Sequence, residues 1–346
     1  NAYITVTTKR EHMAEALALA ADVLRNPAFP DSEFEQLREQ SITSMEASRR
    51  EPGRYVSEAM GKHFNHWPAG HPLAFRTLDE NLAATRAVKL EDVRAFHRDF
   101  YGTATGEVAV VGDFDPAQMK QQLQELFAGW KSAKPFTRIA DGHRPVAAVH
   151  ESFETPDKAN AVLIARSEFA LNSNDPDYPA LAIANRVFGG GGMASRLGDR
   201  IRQKDGLSYG VGSQIGVPDL DDDATFLIQA SAAPENMARL EAAMREELDR
   251  FVREGITAAE LADAKDGLLT QMANARASDG TVASILRSNL YLDRTMQWTA
   301  DHEAAIRALT VEQVNAAIKR HIKPDTLSVF VAGDFAGAAR KAGGTK

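Results

Sequence analysis

Residues 89–114 and 310–335 of this 346-residue chain repeat one another, and that self-similarity limits what the chain can fold into. The first stretch ends Val-Ala-Val-Val-Gly-Asp-Phe and the second Val-Phe-Val-Ala-Gly-Asp-Phe. Val93 to Gly112 and Val314 to Gly333 both span 19 positions. Upstream, Glu11-His12-Met13-Ala14 pairs with Glu235-Asn236-Met237-Ala238, and Asp31-Ser32-Glu33-Phe34 with Ala258-Ala259-Glu260-Leu261. The offsets are 224 (235 − 11), 227 (258 − 31) and 221 (333 − 112), a drift that loop insertions produce. Two related αβ domains are therefore expected: an incomplete first repeat over 1–135, a linker over 136–150, and a second repeat over 151–346. In this register Asn1 lines up with about Thr225, so the first repeat lacks a counterpart of roughly residues 135–224. The missing part is expected on a preceding stretch of chain or from a partner. A sheet cut there would expose an edge and an apolar face.

Within each repeat the local patterns agree. Tyr3 to Thr8 alternates as a strand does, and Thr225 to Ser231 matches it. Met237, Leu240, Met244, Leu248 and Phe251 recur at steps of three and four, which lines one face of a helix. Gly255 should end that helix, and Thr257 with Glu260 forms a capping box for the next. Ser32 with Glu35, and Thr310 with Gln313, carry the same signal. Helices arriving in pairs between strands predict an α+β fold rather than a doubly wound parallel sheet.

Composition narrows the function. A net charge of −8 argues against nucleic-acid binding, although Arg196, Arg200 and Arg202 could form a local basic patch. No apolar run approaches the roughly 20 residues that span a bilayer. There are no cysteines, which removes disulfides and thiolate metal sites. The opening Asn-Ala-Tyr-Ile-Thr-Val-Thr-Thr has neither the basic start nor the apolar stretch of a signal peptide, and it lacks a Met. The chain is expected to be a truncated one.

The block most suggestive of chemistry lies at 196–217. An arginine-rich helix runs into Gly206, and a glycine-spaced strand leaves it carrying Tyr209, seven positions after Arg202. By residue type alone two readings stand: a helix-end arginine favoured by the dipole beside a structural tyrosine, or two donors flanking one turn.

The second repeat resembles the non-catalytic C-terminal domains of the insulinase-like (pitrilysin) zinc metallopeptidases, the group that includes the mitochondrial processing peptidase. The residues that carry the resemblance are Phe188 with Gly189, Gly190, Gly191 and Gly192, then Ser195-Arg196-Leu197, then Arg202 through Tyr209, with Gly-Asp-Phe closing each repeat. It implies αβ domains with mostly antiparallel sheets covered by helices, and two halves closing like a clamshell around an unfolded peptide. One half carries His-x-x-Glu-His and zinc. The facing half supplies an arginine and a tyrosine, here Arg202 and Tyr209, as donors to the oxyanion that forms when water attacks the peptide carbonyl. Gly189 to Gly192 would line the chamber and let the substrate strand approach. Relatives of this type also imply export to the periplasm.

The departures from that family's active half are as informative. None of the nine histidines lies in His-x-x-Glu-His, and the helix at 180–188 offers no ligand. The chain is thus expected to bind no metal and to be inactive alone, its partners being a zinc-bearing half and a peptide. A catalytically inert scaffold of the same fold is the alternative. An autonomous hydrolase using His63, His66 and Glu46 is a third. His63 and His66 are three apart and read as a surface pair, Glu46 as a solvated helical residue, and Asp219 to Asp223 as an acidic loop.

Overall fold

The computed structural model describes residues 2–208 and 210–343. Two compact units are present, each discontinuous in sequence. Unit 1 comprises residues 1–44, 81–139 and 273–297; unit 2 comprises 45–80, 140–272 and 298–346. The linear division at 135–151 therefore cuts the chain once, whereas the units exchange segments 45–80 and 273–297.

In chain order the first helices are α1 (Met13–Arg25), α2 (Asp31–Ser48), α3 (Pro52–Phe64), α4 (Leu78–Ala87), α5 (Leu90–Phe100) and α6 (Pro116–Phe127). They are followed by α7 (Tyr178–Asn185), α8 (Met237–Glu254), α9 (Ala258–Ala275) and α10 (Asp279–Tyr291). The last are α11 (Met296–Ala308), α12 (Val311–His321) and α13 (Phe335–Gly343). The strands are β1 (His150–Glu154), β2 (Ala161–Phe169), β3 (Gly210–Gly216), β4 (Ala224–Ala232) and β5 (Ser328–Gly333). They form one sheet in the order β1-β5-β2-β4-β3, antiparallel except where β1 runs parallel to β5. The fold is α+β.

Strand alternation explains why unit 2 has helices on both faces. On one face, Leu163 and Ala165 of β2, Phe226 and Ile228 of β4, and Val329 and Val331 of β5 join the buried side chains of α7, α8 and α12. Phe188 sits at its centre, 4.9 Å from the Phe251 ring and 5.8 Å from the Phe226 ring. The odd residues of β5 thus face this layer, so Phe330 and Ala332 must point the other way. There α3 covers them with Val56 and Ala59, and Val162, Ile164 and Phe153 complete that cluster. With both faces covered, β5 is buried along its whole length. This second layer is why 45–80 belongs with unit 2. α10, which is α3 displaced by 227 (279 − 52), belongs to unit 1.

Unit 1 is held by helix packing and long-range polar contacts. Ala20 and Ala21 of α1 and Met119 of α6 are buried. Arg25 donates to the Leu126 carbonyl, and His97 Nε2 lies 2.7 Å from the Leu24 carbonyl. The strand predicted at Tyr3–Thr8 does not form, nor does one at Val108–Val111, the counterpart of β5: among the described residues of this unit there is no β-ladder. The reason is partnership. Their equivalents in unit 2, β4 and β5, are each neighbours of β2 and not of each other. Nothing in residues 1–139 corresponds to β2, so alternation alone has no ladder to join. The cap expected at Ser32 is also corrected, since α2 already begins at Asp31 and Glu35 pairs with Arg38. The boxes at Thr257–Glu260 and Thr310–Gln313 form reciprocally, and Gly255 ends α8 at φ +73°.

Candidate functional site

Two rare widened turns shape this region, one ahead of the arginine block and one inside it. After α7, residues Arg186–Gly190 form a π-helical turn, and Gly198–Lys204 form another. Such turns occur mostly as local insertions and frequently at functional sites. The glycines make the first one possible. A Cβ on Gly189 would lie 2.5 Å from the Ser213 backbone nitrogen of β3, one on Gly190 2.5 Å from Asn185 Nδ2, and one on Gly191 2.6 Å from the Arg186 carbonyl. Gly192 has φ +65°, a conformation that favours glycine. Gly189 is buried, whereas Gly190 and Gly192 are exposed. Each of the four thus has an internal reason to lack a side chain.

The second widened turn is tied to the first. Ser195 is buried, its Oγ donating to the Gly192 carbonyl and accepting from Gly198 N–H at 3.2 Å. Gln203 Nε2 donates to the Met193 carbonyl at 2.8 Å. The turn ends at Gly206, φ +60°, where Leu207 N–H reaches back to the Ile201 carbonyl at 2.9 Å and the Leu207 side chain is buried. That is a glycine cap sealed by an apolar contact. Ser208 Oγ then donates to the Ser231 carbonyl at 2.6 Å, which pins the entry of β3 to the end of β4. Arg202 is left exposed on the turn before β3, a strand at the sheet edge. Tyr209 lies outside the described residues.

The local basic patch is a correction. Arg196 points inward: Nε meets Glu260 Oε1 at 2.7 Å, Nη2 meets Glu260 Oε2 at 2.8 Å, and Nη2 also donates to the Gly255 carbonyl. Arg200 is engaged by Asp205 at 3.1 Å and Glu246 at 3.2 Å. Of the three arginines only Arg202 keeps an exposed position.

His63 and His66 are not a surface pair either, because α3 stops at Phe64 and the two side chains diverge. His63 Nε2 is 3.1 Å from Ser328 Oγ of β5, and its ring lies against Phe330. His66 instead faces Asp141, at 2.9 Å. Glu46 is bound by Arg49 Nε at 2.7 Å. No pair of these three meets as a hydrolytic site. The acidic run 219–223 is an ordered turn between β3 and β4, where Ser173 Oγ donates to Asp219 at 2.7 Å and Asn172 to Asp222.

The sequence matches the family model described as the peptidase M16 inactive domain over residues 87–268, more than half of the chain. The chain belongs to the peptidase M16 inactive-domain family. Among its relatives, an uncharacterized zinc protease of Rickettsia bellii is 26% identical over 257 residues, covering 70% of this chain. The chain spans 57% of that relative's length. The peptidase M16 inactive domain from Pseudomonas fluorescens has the same fold, with TM-score 0.79, 24% identity, and coverage of 94% of this chain and 75% of that one. The periplasmic protease PqqL from Escherichia coli superposes with TM-score 0.66 at 16% identity, over 92% of this chain and 35% of that one. The family's zinc motif has no counterpart in this sequence, so the residues here do not fit the catalytic zinc of that family's active half. No helix of the described residues is long and apolar enough to cross a membrane.

Proposed function

We propose that this chain is the substrate-binding, non-catalytic half of a zinc metalloendopeptidase and works against a second half that carries the zinc. The observation that carries this reading is the exposed Arg202, four residues before the glycine turn that leads into an edge strand. An extended peptide can lie along such an edge through main-chain hydrogen bonds. Arg202 and Tyr209 then serve as donors to the charge that develops on the scissile carbonyl oxygen. Both donate without being consumed, and only stabilisation that grows in the transition state raises turnover. Gly190 and Gly192, exposed and without side chains, leave room for a peptide backbone on that wall.

The zinc half is either an earlier part of the same precursor or a separate subunit. The compartment we propose is the periplasm, where the Escherichia coli relative is a protease by its own description. The test is reconstitution with a zinc-bearing half and an extended, unfolded peptide. Peptidase activity should require both components. Arg202→Ala and Tyr209→Phe should each lower kcat by about 10- to 1,000-fold, the range seen when one oxyanion donor is removed. Full turnover by both variants would remove the mechanistic role, and hydrolysis by the isolated chain would overturn the division of labour.

A further inference from the structure

Four segments of unit 2 converge on a cavity of about 230 Å³ that the peptidase reading does not use. The segment after α3 brings His66, the former linker brings Asp141, β2 brings Arg166 and Glu168, and the turn into β4 brings Asp223, with His143 close to the last two. One ligand atom each from His143, Glu168 and Asp223 lies within 4.8 Å of the other two. We propose that His143, Glu168 and Asp223 form a binding site for a divalent transition-metal cation, with Asp141 and His66 beside it.

Unmet polar atoms are the first argument. His143 Nδ1 and Asp223 Oδ1 are sealed from solvent without a hydrogen bond, while beside them His66 Nε2 and Asp141 Oδ1 face each other at 2.9 Å. His143 Nδ1 and Asp223 Oδ1 stand 3.8 Å apart, too far to satisfy each other. Each buried group left so costs about 1–3 kcal/mol. A cation takes lone pairs from imidazole and carboxylate alike, and so satisfies both atoms at once.

Charge gives a second argument, independent of hydrogen bonding. Asp141, Glu168 and Asp223 contribute three negative charges, and Arg166, ion-paired to Glu168 Oε1, offsets one. Arg144 lines the same cavity, so one negative charge remains when the imidazoles are neutral, a balance that still favours a cation over an anion. The three carboxylates outnumber the two guanidiniums by one.

The frame around the cluster is already organised. His143 N–H donates to the Asp222 carbonyl at 3.0 Å, fixing the linker to the β3–β4 turn. Glu168 pairs in register with Thr225, two residues beyond Asp223. The Arg166 guanidinium lies 4.6 Å from the Phe64 ring centroid, which holds it to one side. Mixed imidazole and carboxylate donors suit zinc, manganese or iron better than calcium or magnesium. Ligand atoms around tetrahedral zinc stand about 3.4 Å apart, so atoms within 4.8 Å of one another need to close in by at most about 1.4 Å. The other such cluster among the described residues, Asp175, Asp177 and His321, is internally paired: Asp177 Oδ2 already holds His321 Nε2 at 2.8 Å and Arg320.

The test uses the purified full chain, stripped by chelator and titrated with Zn²⁺ and with Co²⁺, reading bound metal by elemental mass spectrometry and the visible Co²⁺ bands. The expected result is one equivalent per chain. His143→Gln and Asp223→Asn should each weaken binding at least about tenfold, while His63→Gln and Asp177→Asn leave it unchanged. Should the two site variants fail to fold, carbethoxylation of His143 in the wild-type chain, mapped by mass spectrometry, must be blocked by Zn²⁺. No bound metal in the wild type, binding that survives both site substitutions, loss of binding in Asp177→Asn, or unprotected His143 would each overturn the proposal. The readout is metal on this chain alone, so its failure leaves the half-peptidase reading standing.

Discussion

Arg196 and Glu260, 64 residues apart, form a bidentate pair with both nitrogen–oxygen distances below 3 Å. The guanidinium also lies 5.3 Å from the Phe251 ring centroid and donates to the Gly255 carbonyl. Glu260 at the same time closes the capping box that starts α9. One carboxylate therefore joins the Gly192–Gly206 region to the start of a long helix. Glu260→Gln should cost about 2–3 kcal/mol, read by urea unfolding, because charge-assisted bonds are the stronger kind. Arg196→Lys should not rescue the fork, since an ammonium cannot present two parallel N–H donors.

The same pair sets a pH dependence. Burial pushes the Glu260 carboxyl up, but hydrogen bonds from Arg196 and Thr257 outweigh it and hold it below the ordinary carboxylate range. The folded state therefore releases this proton more readily than the unfolded chain. Its stabilisation is fully present above the unfolded value of about 4.3 and is lost as pH falls through the lower folded value. Urea midpoints between neutral pH and about pH 3 should fall less steeply in Glu260→Gln than in the wild type.

Glycine spacing around β3 yields a contrast within one sheet edge. Gly189→Ala would drive a Cβ to 2.5 Å from the Ser213 backbone, which cannot swing away. Overpacking of that kind costs about 1–3 kcal/mol. Gly210→Ala meets only Ser231 Oγ, at 4.0 Å, and should stay within about 0.5 kcal/mol of the wild type. Equal unfolding midpoints for the two variants would refute the packing assigned to Gly189.

Val56 tests the second helical layer. It has no exposed surface and lies against Phe330 and Ala332 of β5. Val56→Ala should destabilise by about 1.5–3 kcal/mol, through lost burial and the space left behind. Ser57→Ala, one position on and exposed, should be neutral in the same thermal or urea melt.

What the sequence made legible was what depends on neighbours along the chain. The apolar face of α8, the stop at Gly255, the reciprocal caps at Thr257 and Thr310, and the alternation of β4 all follow from local spacing. Features requiring distant partners were hidden. Tyr3–Thr8 has the alternation of β4, but a ladder depends on what lies beside it. The inward turn of Arg196 depends on a glutamate 64 residues away, and nothing around Ser195-Arg196-Leu197 announces it. The His143–Glu168–Asp223 cluster draws on separate segments. Its only sequence trace is an Asp-Gly-His within the linker and the last aspartate of the 219–223 run. At the candidate wall, the turn at Gly206 and the exposure of Arg202 agree with the arginine block as read, while the need for Gly189 comes from the close approach of β3.

The trade of α3 for α10 has a practical meaning for dissecting the molecule. A gene fragment opened at residue 151, where the repeat boundary invites the cut, would leave α3 behind and bare the sheet face at Val162, Ile164 and Phe330. Such a truncation would aggregate even though it lacks only the first residue of β1 among the strands. An independently soluble piece must carry the Pro52–Phe64 helix with it, so the smallest heritable module here is larger than the smallest repeating one.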